Sequence, residues 1–394
     1  MKFDFSNFSV VDCHAHPFMP SREKKEYGRR YIISSDRYMK VAQEDFSNTL
    51  AYRMILVELA RLLELDPNIA DDKIIKARND LASQDYKKYV ELLFNDANIT
   101  TFLNETGFPI QGARLRPEET ALFESATSNL DVREILRLEM ICNHIVADNI
   151  DRLNFKEFLQ KFREEISSRV SNNIVVAFKT VIGYFSGLEI TPHAELESEQ
   201  SFNEYYYGRN EEKSMAEFRA IQKPFRDYMV FECVRLCRQY DLPLQIHTGA
   251  GDPPSCDLRL MRPSLLYDFL NRQDTGSIHI ALLHGGYPFS EEMAFMVNSY
   301  ANVVTDVSSI TADASIAVER VLPILLEKVP LTKIMYGSDG AGDVDPIWFA
   351  AINFKRVLAR LFENFVERNI FTKNYGEHAA KLILSENAKR FYRL

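Results

Sequence analysis

Two histidines one residue apart close a short apolar run near the N-terminus, Val10-Val11-Asp12-Cys13-His14-Ala15-His16-Pro17. On a β-strand, residues i and i+2 project from one face. His14 and His16 can therefore present two imidazoles side by side, as the first two ligands of a divalent metal ion require. The same alternation turns Cys13 away from that face. A His-x-His alone says little, but other apolar runs end alike. The run 242–246 ends in His247, and 278–283 ends in His284. The run 333–336 leads to Asp339, and 173–178 meets Lys179. Four of the eight histidines thus stand at run ends. Neutral imidazole and carboxylate are zinc ligands, and catalytic zinc keeps one position open for water. Three histidines and an aspartate can hold such an ion and steer its water. Glycines follow His247 and His284, which keeps those turns small enough for a substrate to approach.

The elements that must position these residues are strands alternating with helices. Apolar, β-branched runs occupy 8–13, 99–103, 173–181, 242–246, 277–283, 302–307 and 333–336. Amphipathic stretches of helical period separate most of them, for example 225–240 and 316–328. That alternation predicts parallel βα units. The stretch 133–139 can supply an eighth strand, although 132–146 also has helical period. Eight units close a TIM-type (β/α)8 barrel; six or seven form an open doubly wound sheet. In either, the strand ends just named share the carboxyl edge, where α/β enzymes carry their chemistry. Residues 36–97 break the rhythm with no strand signal and read as a helical insertion after the first strand, lying over one end of the sheet. Asp71-Asp72 can cap a helix over 73–83 within it. The segment 192–208, acidic and then tyrosine-rich, reads as a long surface loop of the kind that forms lids.

The totals narrow the function. The 394 residues are 46% hydrophobic and 26% charged, enough for one large core. The expected organisation is a single barrel over 1–394. Net charge is −9 and no long Lys/Arg cluster occurs, which argues against nucleic-acid and anionic-membrane partners. The five cysteines are few and odd in number, as suits free thiols in a reducing compartment. Cys233 and Cys237 share a helix face and read as packing residues. The first residues lack the layout of a signal peptide, and no apolar run nears the ~18 residues that span a bilayer. A cytoplasmic protein acting on a small molecule is the expectation, with a homo-oligomer left open.

The order His-x-His, strand lysine, His, His, Asp resembles the amidohydrolase superfamily of metal-dependent TIM-barrel hydrolases. The local context is similar to its amidohydrolase-related (amidohydrolase 2) branch: Gln245-Ile246-His247-Thr248-Gly249, His284-Gly285-Gly286-Tyr287-Pro288-Phe289 and Tyr336-Gly337-Ser338-Asp339-Gly340. Asn104-Glu105-Thr106-Gly107-Phe108 and Arg137-Leu138-Glu139 resemble the barrel found fused to glutamine-synthetase-like domains. The resemblance implies a barrel of eight units. It implies that His14, His16 and His247 ligate the metal, with Asp339 as ligand and proton shuttle. His284 would polarise the substrate, or ligate a second metal together with Lys179. Zinc is the expected ion, one being favoured and two allowed. Lys179 is expected unmodified, lining the pocket. Arg137, Glu139, Arg259, Arg262 and Tyr287 are the candidate substrate contacts, with Arg259 and Arg262 offering forks to a carboxylate. Arg137 and Glu139 also read as a structural ion pair. The implied reaction is hydrolysis of an amide-type C–N bond of a small carboxylate-containing substrate by metal-bound hydroxide. Related barrels use the same constellation for decarboxylation or uronate isomerisation, and a non-catalytic metal-binding barrel is the third reading.

Overall fold

The computed structural model describes residues 2–19, 45–106, 116–149, 151–208, 213–251, 256–312 and 315–394. Eight strands run in parallel, in sequence order around one sheet. They are β1 (Val10–Ala15), β2 (Ile99–Glu105), β3 (Asp131–Arg137), β4 (Val175–Thr180), β5 (Leu244–Ile246), β6 (Ile280–Leu282), β7 (Val303–Asp306) and β8 (Ile334–Met335). Backbone bonds join the last strand to the first. Cys13 N–H donates to Tyr336 O, Asp339 N–H to His14 O, and His16 N–H to Gly340 O, at 3.2, 2.8 and 2.9 Å. The fold is therefore the TIM-type barrel, with helices outside the strands.

The interior is filled from below. Val11, Leu103, Ile135, Ala177, Ala281, Leu283 and Met335 form an apolar layer, and Tyr392 of the helix Asn387–Tyr392 packs beneath it. Tyr392 accepts a bond from Gln245 Nε2 at 2.7 Å, so the plug's one polar atom has a partner. With apolar side chains occupying these layers, the inward charged residues gather at the carboxyl end.

The stretch 131–147 reconciles two patterns. β3 covers its first half and the helix Leu138–Ala147 its second, so strand and helix periods each hold over part of it. The insertion contributes helices Leu50–Leu62, Asp71–Gln84 and Tyr86–Ala97; its positions 36–44 lie outside the described residues. Asp71 and Asp72 occupy the first helical turn rather than the cap, which is Ala70; they favour the helix through its dipole. Arg78 and Asp345 form an ion pair buried on both sides, tying the insertion to the start of the helix Val344–Glu367 beyond β8. The helix Tyr86–Ala97 packs on Val344–Glu367 and leads directly into β2, as the helix of a βα unit does.

Another expectation is overturned. The segment 192–208 is mostly helix, Glu195–Tyr207, not loop. Glu195 and Glu197 suit its N-terminal turn. Tyr205, Tyr206 and Phe202 join Phe225 of the helix Met215–Tyr240 in an aromatic cluster. Packing of the rings decides the segment where its local pattern did not. Cys233 and Cys237 are buried on that same long helix, as packing residues. No helix among the described residues is long and apolar enough to cross a membrane.

Candidate metal centre

A register irregularity builds the first part of the site. The β1–β2 pairing shifts between Asp12 and Ala15. Cys13 lies in the inner layer with Val11, and the shift brings the very next residue, His14, into the barrel as well. Simple alternation, which turned Cys13 away, fails at this bulge. Next to β1, Glu105 ends β2, Arg137 ends β3, and Lys179 precedes the last residue of β4. His247 and His284 follow β5 and β6, and Asp306 ends β7. Asp339 follows β8 with φ 58°, and His284 turns the chain with φ 69°.

These side chains converge. Asp339 Oδ1 lies 3.0 Å from His14 Nε2 and 3.1 Å from His16 Nε2. His284 Nδ1 lies 3.7 Å from Asp339 Oδ2. Donor atoms of His14, His284 and Asp339 all fall within 4.8 Å of one another. Lys179 Nζ contacts His14 Nε2 at 2.6 Å and Glu105 Oε2 at 3.7 Å. His284 Nε2 faces His247 Nδ1 at 2.8 Å. Tyr184 packs its ring 4.7 Å from that of His247.

Hydrogen-bond partners assign the tautomers. His247 Nε2 meets the carbonyl of Ala250 at 3.0 Å, so Nε2 carries the hydrogen and Nδ1 a lone pair. His284 Nδ1 meets Ser308 Oγ at 2.9 Å, and that hydroxyl already donates to Asp306 Oδ2 at 2.7 Å. His284 Nε2 is therefore also a lone pair. Two lone pairs then face each other at 2.8 Å, which is repulsive unless a cation joins them. Similarly, His16 Nδ1 donates to the carbonyl of Glu105 at 3.1 Å, so Nε2 of a neutral His16 presents a lone pair to the Asp339 carboxylate. His14 Nε2, within 2.6 Å of the Lys179 ammonium, presents a further lone pair. This surplus of inward acceptors, all imidazole or carboxylate, fits a divalent metal ion.

Protonation does not relieve the conflict. Burial, reinforced by the Lys179 ammonium, lowers His14 to about 3. Burial also lowers His284 to about 3, and burial with the neighbouring His284 holds His247 well below the ordinary imidazole value. Burial pushes the Asp339 carboxyl up, but the imidazoles of His284, His14 and His16 outweigh it and keep the group ionised. Lys179 drops to about 8 because burial exceeds the opposing pull of Glu105. Glu105 falls to about 2, since Arg137, His16 and Lys179 together overcome its burial.

The other expected residues have mixed placements. Arg137 is buried and spends Nε and Nη2 on Glu105, not on Glu139; its Nη1 is buried and unbonded. Glu139 accepts from Thr180 Oγ1 at 2.6 Å and from the Val181 amide at 3.0 Å, bracing the end of β4 beside Lys179. Arg259 is exposed and pairs with Asp257, while Arg262 is half-exposed and pairs with Glu292. Tyr287 is half-buried, and its carbonyl accepts from the Ala250 amide at 2.5 Å, next to His247. Of the remaining histidines, His279 is exposed beside Phe391, and His193 pairs with Asp227 and Glu197. Sequence reasoning missed the charge hub Glu105 and the pair Asp306 and Ser308. A signal existed for the two carboxylates, since Glu105 lies just past the run 99–103 and Asp306 sits at the end of the run 302–307.

Comparison with known proteins agrees with the fold. Residues 218–394 match the family model described as Amidohydrolase. Across 98% of its length the chain is 25% identical to Protein fluG of Emericella nidulans, and it spans 46% of that protein, about half. It superposes on the structure of a Lactobacillus casei protein classed with the metal-dependent hydrolases at TM-score 0.81 and 22% identity, covering 100% of this chain and 98% of that one. For uronate isomerase of Thermotoga maritima the TM-score is 0.71 at 14% identity, with 98% and 95% covered. For glucuronate isomerase of Caulobacter crescentus it is 0.68 at 13%, with 98% and 92% covered. At these identities the structural likeness speaks for the fold alone.

Proposed function

We propose, from the premise that this chain belongs to the amidohydrolase superfamily and to its amidohydrolase-2 branch, that it is a metal-dependent hydrolase. Its substrate would be a small carboxylate-bearing molecule cleaved at an amide-type C–N bond. The observation that carries the reading is the pair of facing lone pairs on His247 Nδ1 and His284 Nε2, beside the convergence of His14 and His16 on Asp339. His14, His16, His247 and Asp339 would hold one divalent ion, zinc by the chemistry of its donors. When bound, such an ion supplies an activated water and a Lewis acid at neutral pH.

The chain's own residues would do the rest. Asp339, kept ionised, takes a proton at Oδ2 and returns it to the departing nitrogen. His284 lines the same pocket with Nε2 bare, so it would act there as an acceptor, adding a donor atom beside that of His247 for the ion. Arg137 Nη1, buried and with no bond yet made, donates to the substrate carboxylate. Lys179, unmodified, adds positive charge on that side of the pocket. The five free cysteines suit a cytoplasmic setting.

The test is metal content followed by labelling. Purified protein should hold about one divalent ion per chain, and His16→Ala should hold less. A substrate found by screening N-acyl and amide carboxylates should be turned over in ¹⁸O-water with label in the product carboxylate. An unlabelled product with loss of CO₂, or an isomer of unchanged mass, would assign the barrel to decarboxylation or isomerisation instead. Full activity after exhaustive chelation would refute metal dependence.

A further inference from the structure

We infer that Asp306 and Ser308 form a relay that fixes the tautomer of His284 and so aims its Nε2 lone pair into the metal centre. The inference rests on the reading above only in giving that lone pair a use. Both are positioning residues, acting through His284.

The bonding of Asp306 leaves little choice. Oδ1 accepts from the His284 amide at 2.7 Å and from the Ser308 amide at 3.3 Å. Oδ2 accepts from Ser308 Oγ at 2.7 Å and lies 3.6 Å from the Cys13 thiol. Four donors converge on one carboxylate, which acts purely as acceptor. Ser308 has one hydroxyl hydrogen, and the carboxylate is the stronger acceptor for it. Toward His284 Nδ1, at 2.9 Å, Ser308 Oγ is therefore an acceptor. The ring hydrogen must sit on Nδ1, leaving Nε2 bare.

Packing holds the relay in place. A Cβ added at Gly337 would come within 2.9 Å of Ser308 Cβ and 3.0 Å of Asp306 Oδ2, so the backbone just beyond β8 presses directly on the pair. The His284 amide, held by Asp306 Oδ1, belongs to a turn with φ 69°. One carboxylate thus sets both the backbone and the ring of His284.

Asp306→Asn separates the relay from a merely structural role. The two backbone donors at the Oδ1 position require the amide oxygen there, which forces the NH₂ group toward Ser308. The Ser308 hydroxyl must then turn and donate to His284 Nδ1, moving the ring hydrogen to Nε2. The readout is the ¹⁵N shift pattern of His284 in metal-free protein with labelled histidine, assigned against His284→Gln. Wild type should show a protonated Nδ1 and a bare Nε2, and Asp306→Asn the reverse. Asp306→Asn/Ser308→Ala should lose the reversal, because the hydroxyl that transmits it is gone. With metal and substrate, Asp306→Asn should lower kcat by about 10²- to 10⁴-fold, as a wrong histidine tautomer does elsewhere. A wild-type His284 protonated at Nε2, or a pattern unchanged in Asp306→Asn, overturns the inference. Should Asp306→Asn not fold, the wild-type pattern decides alone. Because the tautomer is read without metal, it stands or falls separately from the hydrolase reading.

Discussion

Glu105→Gln removes the anion around which the buried cations of the pocket are arranged. Glu105 is fully buried at the end of β2, with Arg137 forked onto Oε2, Lys179 Nζ at 3.7 Å and His16 Nδ1 at 3.6 Å. Its carboxyl is held at about 2, against an ordinary 4.5. A depression of that size in a fully buried group is worth about 3 kcal/mol of folding free energy. The sign follows from the direction. The folded-state value is the lower one, so the stabilisation is complete above pH 4.5 and is lost as pH falls toward 2. Glutamine leaves Arg137 and Lys179 buried with no anion between them, and breaking a buried pair from one side costs about 3–5 kcal/mol. The two routes agree. Urea unfolding of chelated protein at pH 7 should therefore show Glu105→Gln destabilised by about 3 kcal/mol or more. Between pH 4.5 and pH 2 the gap between variant and wild type should narrow. A variant within about 1 kcal/mol of wild type, as for an exposed pair, with an unchanged acid limb, would refute the assignment of Glu105 as the hub.

Two further perturbations test neighbouring parts of the molecule. Arg137→Lys keeps a cation for Glu105 but removes the unbonded Nη1; it should raise KM for a carboxylate substrate by about 10- to 100-fold, the worth of one charge-assisted bond. A neutral amide analogue of the same substrate should show no such difference between the two proteins, and an equal rise for both would place Arg137 outside substrate binding. Arg78→Met strands the buried Asp345 and should cost about 3–5 kcal/mol, seen as a lowered unfolding midpoint and faster proteolysis within 45–97. Cleavage no faster than in wild type would show that this pair does not hold the insertion.

The sequence by itself determined which side chains share one end of the barrel. His247, His284 and Asp339 follow apolar runs, Lys179 ends one, and in a parallel sheet those positions share one edge whatever the lateral details. That inference needs only the direction of each strand, which is local. The alternation of strands with helices likewise marked the barrel, with β3 ambiguous because its pattern passes into the helix Leu138–Ala147 within one residue. What the tertiary structure decided depends on register between strands far apart in sequence. The shift between β1 and β2 brings both Cys13 and His14 inward, against simple alternation. Arg137 is paired with Glu105, 32 positions away, rather than with Glu139, two positions away, because neighbouring strands set its reach. The tyrosines at 205–207 form a helix because the aromatic face of the helix Met215–Tyr240 buries them, which no window of local sequence contains. The tautomers of His247 and His284 follow from Ala250, Ser308 and Asp306, partners that only the closed barrel assembles, and a lone pair's direction is a property of those partners rather than of the histidine itself.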